Sequence, residues 1–366
     1  MEIMGLTESF YRGKKVMITG HTGFKGSWLT IWLNILGADT AGIALDPASY
    51  NDLFNLAELK GRIRDYRADI RNRAEVDRIF KAERPEIVFH LAAQSLVFPS
   101  YNDPVSTFET NFMGTVNVLE SCRQSDSVKQ VIVVTTDKVY ENREELRGYN
   151  EQDPLGGYDP YSASKAGAEI ACQSYRRSYF AKNDDIGQKI ALSTARAGNV
   201  IGGGDRAPDR IIPDCIRAFE KGLPIPVRNP DSVRPWQHVL EPLGGYLLLC
   251  RKMAEDPYRY AGAWNFGPDS EGAVTVGKLV NTFIRHWGSG AMDISGEQKK
   301  FHEAGILMLD ISKSVTYLGW KPLLNLEEAV KMTAEWYRSS VSRDPYTLCV
   351  EQIEEYTKRW NSGSLT

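Results

Sequence analysis

Short apolar runs alternate with helix-length amphipathic segments through the first half of the chain, the pattern of βαβ units on a parallel sheet. Strands are expected at Lys15–Thr19, Thr40–Leu45, Tyr66–Ala68, Glu86–Leu91, Gln130–Thr135 and Lys189–Arg196. Helices are expected near 24–37, 73–83, 103–124 and 161–182. The last two of these open on Asp103-Pro104 and Asp159-Pro160, an acidic cap followed by proline at the first helical position. After about residue 197 the texture changes. Gly202–Gly204, PDRIIP, GLPIP and RNPDSVRPW place turn chemistry every few residues, with short helices between. This reads as a second, loop-rich lobe that supplies a ligand lid, with His238–Met253 packing back on the first lobe through its apolar stripe.

The length, 366 residues, suits two domains or one large interleaved unit, and 42% apolar content excludes a disordered or fibrous chain. Lysine and arginine total 44 against 47 acidic residues, a net charge of −3, so no global positive field exists for nucleic acid or an anionic membrane. Any anion must be gripped locally. The stretch MEIMGLTESFYRGKK has no apolar signal region, and no apolar run approaches the roughly 18–20 residues of a membrane helix. Cysteines 122, 172, 215, 250 and 349 are scattered and the five histidines show no ligand spacing, so neither disulfides nor a metal are expected. A reduced, cytoplasmic protein is the resulting expectation.

Residues 15–27, KVMITGHTGFKGS, run from a strand through Gly20, Gly23 and Gly26 into a helix, with Thr22 and Phe24 between the glycines. That arrangement lets the backbone approach a pyrophosphate and aims free helix N–H groups at it. The spacing is GxxGxxG, and its place at the head of a βα series points to a Rossmann-type dinucleotide site. Asp46, after the second strand, is positioned to accept from adenosine ribose hydroxyls. No arginine follows in PASYND to meet a 2′-phosphate, which favours NAD over NADP. Asp69 and Ile70 after the third strand are candidates to flank the adenine. Leu91, Ala92, Ala93 and Gln94 end the fourth strand in small residues, as a backbone passing close to a cofactor requires.

Tyr161-Ser-Ala-Ser-Lys165 places a phenol and an ammonium on one helical face. A nearby ammonium favours phenolate, preparing the tyrosine to exchange a proton with a sugar hydroxyl during hydride transfer. The pair follows Thr135-Thr136-Asp137-Lys138, which closes a strand. Together TGHTGFKG, LAAQ, TTDKVY, YSASK, RAGNVIGGGD and RPWQHV resemble the extended short-chain dehydrogenase/reductases that act on nucleotide sugars. The motifs run from Lys14 to about Trp320.

That resemblance implies NAD as a recycled cofactor and CDP-glucose as the substrate, feeding deoxysugar synthesis for surface polysaccharide. It implies that Tyr161, with Lys165, deprotonates the sugar 4-hydroxyl while hydride leaves C4. Thr136 would hydrogen-bond the 4-oxygen and Asp137 would protonate the departing 6-hydroxyl. Lys138 stands where dTDP-glucose dehydratases carry a glutamate base. It must be partly deprotonated, relay through water, or stabilise the enolate as a charge. Asn199, Arg210, Arg228 and Arg234 are candidates for the substrate diphosphate, of which Arg210 and Arg228 equally suit surface charges. Ile211 would lie beside the pyrimidine and Asn265 beside the substrate, with Gln94 lining the same region. The stretch Gln94–Ser100 departs from the family's pattern, which has a basic residue where Phe98 stands. A dehydratase or 4-epimerase for a dTDP-, UDP- or GDP-sugar is the alternative, and a redox-sensing binding protein is the rival from another class. The family's usual dimer would pair helices 103–124 and 161–182 across a two-fold axis, as homodimer or homotetramer. The expected division is an NAD-binding domain of residues 1–196 with 235–260, and a sugar-nucleotide lobe of 197–234 and 261–366.

Overall fold

The computed structural model describes residues 9–180, 190–269, 272–295 and 305–363. The apolar runs form seven parallel strands: β1 (Lys15–Thr19), β2 (Asp39–Ala44), β3 (Arg64–Arg67), β4 (Ile87–His90), β5 (Gln130–Val134), β6 (Ala191–Ala197) and β7 (Gly262–Phe266). They lie in the order β7-β6-β5-β4-β1-β2-β3. Both faces of the central strands are apolar, as a sheet covered on two sides requires. Val16, Ile18, Ile87, Phe89, Ile132 and Val134 point into one core, and Met17, Val88, Val131 and Val133 into the other.

The second of these cores is roofed by α2 (Arg73–Glu83), α3 (Gly114–Gln124) and α4 (Pro160–Tyr175), which supply Val76, Ile79, Phe80, Val118, Leu119 and Cys172. The first is roofed by α1 (Phe24–Ile35) and α6 (Leu240–Glu255), backed by α8 (Leu326–Ser339) and α9 (Pro345–Gly363). Asp103 and Asp159 cap their helices through Ser106 N and Ser162 N. The expected helix 103–124 is divided: Pro104–Phe108, a widened turn over Glu109–Met113, then α3. Residues 181–182 of the expected fourth helix, and Lys189 at the head of its following strand, lie outside the described residues.

The second lobe carries α5 (Ile211–Lys221) and α7 (Val276–Trp287), with Phe219 stacked on Phe283 and Trp287 at 5.9 and 4.7 Å between ring centres. Short strand pairs, Ile225–Pro226 with Met292–Asp293 and Val233–Pro235 with Ala273–Thr275, pin its loops. The boundary expected at residue 261 does not hold for strand β7. Its residues Trp264 and Phe266 are too apolar to stay in an exposed lobe, and the strand pairs with β6 to extend the main sheet. Helix α6 does pack back on β5 and β6.

Candidate active site

The glycine loop is built by close approach. Gly20 holds φ at +77°, and a Cβ there would fall 2.6 Å from Ala92 N; at Gly26 it would fall 2.1 Å from Gly20 O. Neither position admits a side chain. Gly23 differs, because a Cβ there would meet only Gly20 O, at 3.4 Å. It opens α1 with no side-chain cap, so the helix N–H groups stay free toward the cavity. Beneath the loop runs a buried string: Thr19 Oγ1 lies 2.6 Å from His90 Nδ1, and His90 Nε2 3.0 Å from Thr115 Oγ1. Burial pushes His90 down to about 3, so this imidazole is neutral. His21, also buried, pairs with Asp65 at 2.7 Å and lies so close to Gly42 that a Cβ there would be 2.4 Å from its ring.

One cavity of about 710 Å³ joins this loop to the rest of the motif residues. Gly20, Thr22, Gly23, Phe24 and Gly26 line one end with Asp69, Ile70, Leu91, Ala92 and Ala93. Uncapped N–H groups, a cradle that a Cβ at Gly23 would fill and small residues at the strand end fit a dinucleotide diphosphate. Two readings change in detail. Asp46 is not part of the cavity wall; its side chain is 87% exposed and sits 3.4 Å from Arg67. The arginine missing after β2 arrives instead from the neighbouring strand, yet Arg67 is already committed to Asp65 at 2.8 Å and Leu45 O at 3.1 Å. Asp69 lines the cavity while its carboxylate is held by Arg71 at 2.9 and 2.7 Å.

At the other end Thr135, Thr136, Lys138, Tyr161 and Lys165 converge on the same space. Lys165 donates to Val134 O at 3.1 Å, and burial lowers it to about 8. The Tyr161 phenol is not lowered in this state. Burial raises it to about 12, against the pull of Thr136 and of the Arg210 charge. Sequence spacing registers the ammonium but not the desolvation that outweighs it. Thr136 Oγ1 donates to Asp137 Oδ1 at 2.9 Å, and Lys138 Nζ donates to the same oxygen at 3.2 Å and to Asn199 Oδ1 at 3.3 Å. Asp137 is fully buried behind this pair, outside the cavity wall, and its Oδ2 has no hydrogen-bond partner among the described residues.

The second lobe contributes Asn199, Arg210, Ile211, Arg228 and Arg234 to the wall. Arg210 bridges Asp205 and Ser95, each at 3.0 Å. Arg228 reaches Asp209 at 3.2 Å, with its guanidinium 5.0 Å from the centre of the Phe98 ring. Arg234 is buried and donates to Val233 O and Gly305 O. Gln94 lines the cavity, but its amide is committed to Leu96 and Thr107 and shapes its own loop. Asn265 does not reach the cavity. It is fully buried, accepts from Tyr140 at 2.7 Å and donates to Tyr149 O and Asp310 O.

Sequence reasoning missed Lys25. Its side chain lines the cavity with Nζ 3.4 Å from Tyr246 Oη, and burial among the charges of Arg210 and Lys165 lowers it to about 7. The available signal was a basic residue inside the first helical turn after the glycine loop. The Phe98–Arg228 contact was out of reach, because it depends on the lobes meeting.

A seven-stranded parallel sheet with a glycine loop and a Tyr/Lys helix facing one cavity defines a Rossmann-type short-chain dehydrogenase/reductase architecture. The family described as GDP-mannose 4,6 dehydratase matches residues 17–333. A CDP-glucose 4,6-dehydratase of Salmonella typhimurium is 42% identical over 352 residues, 96% of this chain and 98% of that protein. Among solved structures, the UDP-glucose 4-epimerase of Thermus thermophilus in complex with NAD superposes with a TM-score of 0.75 at 25% identity, covering 88% of this chain and 98% of that one. The dTDP-glucose 4,6-dehydratase of Streptomyces venezuelae, with NAD bound, has a TM-score of 0.75 at 24% identity over 88% and 97%, a likeness of fold. The chain belongs to the GDP-mannose 4,6 dehydratase family.

Proposed function

We propose that this protein is an NAD-dependent hydro-lyase that converts CDP-glucose to CDP-4-dehydro-6-deoxyglucose. The observation that carries the reading is the meeting, in one cavity, of the glycine loop, the Tyr161/Lys165 helix and the Thr136–Lys138 turn. The 42% identity to the Salmonella CDP-glucose enzyme over nearly the whole chain supports the choice of substrate. Gly20, Thr22, Gly23, Phe24 and Gly26 hold the NAD diphosphate. Ile70, Leu91, Ala92, Ala93 and Thr135 flank the rest of it, with Asp69 at the adenosine end and Asp46 at its rim, just outside the cavity wall. When bound, NAD supplies an acceptor that takes hydride from C4 and returns it to C6.

Tyr161 would take the proton of the 4-hydroxyl as phenolate, the form that the positive charges of Lys165 and of bound oxidised NAD favour against the burial that raises it here. Thr136 turns its hydroxyl from Asp137 to donate to the oxygen as it becomes a ketone. Lys165 holds positive charge beside the phenol. The ketone acidifies the C5 proton, and Lys138, fixed by Asp137 and Asn199, faces the negative charge that develops as this proton leaves. Asp137 lies behind Lys138 and Thr136 and relays protons through them to the departing 6-hydroxyl. Protons balance: the 4-hydroxyl and C5 release one each, the leaving water takes one, and C5 takes one after hydride returns to C6. Asn199, Arg210 and Arg234 hold the substrate diphosphate, with Arg228 and Ile211 at the nucleoside end.

The Asp137/Lys138 pair favours elimination over epimerisation, which needs no acid and base near C5 and C6. We also propose an NAD-binding unit of residues 9–196 with α6, β7 and α9, a lobe from the remainder, a homodimer, and a cytoplasmic location. Purified protein incubated separately with CDP-glucose, dTDP-glucose, UDP-glucose and GDP-mannose, with and without added NAD, tests the reading. A 4-keto-6-deoxy product from CDP-glucose is expected; CDP-glucose recovered unchanged in both conditions refutes the proposed substrate.

A further inference from the structure

One buried ion pair outside the cavity links the Tyr161/Lys165 helix to both flanks of the Thr136–Lys138 turn. Glu169 sits one helical turn beyond Lys165 and two beyond Tyr161 on α4, and is 3% exposed. Arg196, on β6, grips it with two parallel bonds, Nε to Oε1 and Nη2 to Oε2, both 2.9 Å. Thr135 Oγ1 donates to Oε1 at 2.6 Å and Thr194 Oγ1 to Oε2 at 2.7 Å, so both carboxylate oxygens are doubly satisfied. The remaining arm of Arg196 donates from Nη1 to Tyr140 Oη at 2.9 Å. That phenol donates to Asn265 Oδ1 at 2.7 Å, and Asn265 ends the chain of bonds on Tyr149 O and Asp310 O.

The placement of the two hydroxyl partners is informative. Thr135 and Tyr140 bracket the turn that carries Thr136, Asp137 and Lys138, so the same guanidinium–carboxylate pair holds both of its ends. The turn is a single short helical turn over Asp137–Val139, held otherwise by the burial of Val139 and by backbone bonds such as Gly156 N to Val139 O, so the ion pair adds the side-chain restraint at its two ends. Burying a charged pair is costly unless its polar atoms find partners, and here each nitrogen of Arg196 and each oxygen of Glu169 has one among protein groups, two of which flank the Thr136–Lys138 turn. A lysine in place of Arg196 cannot serve Glu169 and Tyr140 together, because it lacks the planar fork.

We propose that Glu169 and Arg196, with Tyr140 and Asn265, are positioning residues that clamp the Thr136–Lys138 turn against the Tyr161/Lys165 helix. This rests on the dehydratase reading for its kinetic consequence but not for its geometry. Elimination depends on the turn, whereas hydride removal depends chiefly on the helix, so loosening the clamp slows the second step more than the first.

Arg196→Lys and Tyr140→Phe are the test variants; the second keeps the ring that stacks on Tyr149 at 5.3 Å and is the gentler change. Arg196→Lys is expected to lower kcat at least tenfold with KM for CDP-glucose within about twofold, while reduced nicotinamide accumulates in the near-ultraviolet spectrum during turnover. Tyr140→Phe is expected to show the same signature more weakly. Amide hydrogen exchange of the peptide covering 135–140, read without substrate, is expected to quicken severalfold in both variants while that of β1 is unchanged. If Arg196→Lys fails to fold, the Tyr140→Phe result decides. Wild-type kcat with no reduced nicotinamide, or unchanged exchange across 135–140, overturns the clamp. Absence of turnover by the wild type counts against the substrate reading alone, and the exchange data then judge the clamp.

Discussion

Gly23 and Gly26 are three residues apart in the same loop, yet they exclude a side chain for different reasons. At Gly26 a methyl would collide with the backbone of Gly20 and His21, so Gly26→Ala forces α1 away from the loop, at a cost of about 1–3 kcal/mol. At Gly23 a methyl meets nothing closer than 3.4 Å, and the fold keeps its stability. It projects instead into the cradle. Gly23→Ala is therefore expected to weaken NAD binding at least tenfold with an unchanged Tm, and Gly26→Ala to lose both. Nicotinamide titration by fluorescence beside thermal melts checks the pair; equal melts for the two variants would contradict this account. The glycine spacing, Thr136 to Lys138 and Tyr161 were legible as sequence because their chemistry lies in local motifs. Asn265 was misread because WNFGP reveals a polar residue after a strand but not whether its amide faces a cavity or three protein partners. Lys25 was overlooked because its importance comes from the charges that surround it.

Between elements, the sequence showed where strands and helices lie more readily than what each one touches. The βα series through residue 197 follows from alternating periods and two Asp-Pro caps, whereas β7 and α9 join the first layer by long-range packing that no local pattern announces. The attachment of α9 has a titratable centre. Glu241, fully buried on α6, accepts from Leu323 N at 2.9 Å, Leu324 N at 2.7 Å and Tyr356 Oη at 2.7 Å. Burial raises this carboxyl to about 7 despite those donors. Its folded value exceeds its unfolded one, so the group's contribution to stability is fully present below about pH 4 and is lost as pH rises through about 7. The change is on the order of 3 kcal/mol. Glu241→Gln keeps an acceptor for both backbone N–H groups and removes the charge. Urea denaturation at pH 5 and pH 8 is expected to show the variant more stable than wild type at pH 8, with the difference gone or reversed at pH 5. An identical pH profile for the two proteins rules this out.

At the scale of the whole molecule, an apolar stripe remains uncovered on one side. Phe108 and Met113 beside α3, and Ile170 and Tyr179 on and just after α4, are 41–56% exposed, on the helices expected to pair across a two-fold axis. Scattering is expected to give a dimer or larger assembly, and Phe108→Lys with Ile170→Lys a folded monomer; a monomeric wild type refutes the arrangement. A different consequence follows from α9. It covers α1, with Tyr356 edge-on to Trp32 at 5.7 Å and Trp360 seated where Gly244 leaves room. The ribosome makes α1 some three hundred residues before its cover. Until α9 is made Trp32 therefore lacks the aromatic surface that will shield it, and the cofactor cradle exists as sequence before it exists as a supported shape. Folding of this chain is a problem of waiting, and its vulnerable interval, when chaperones matter most, is set by the distance along the chain between α1 and α9.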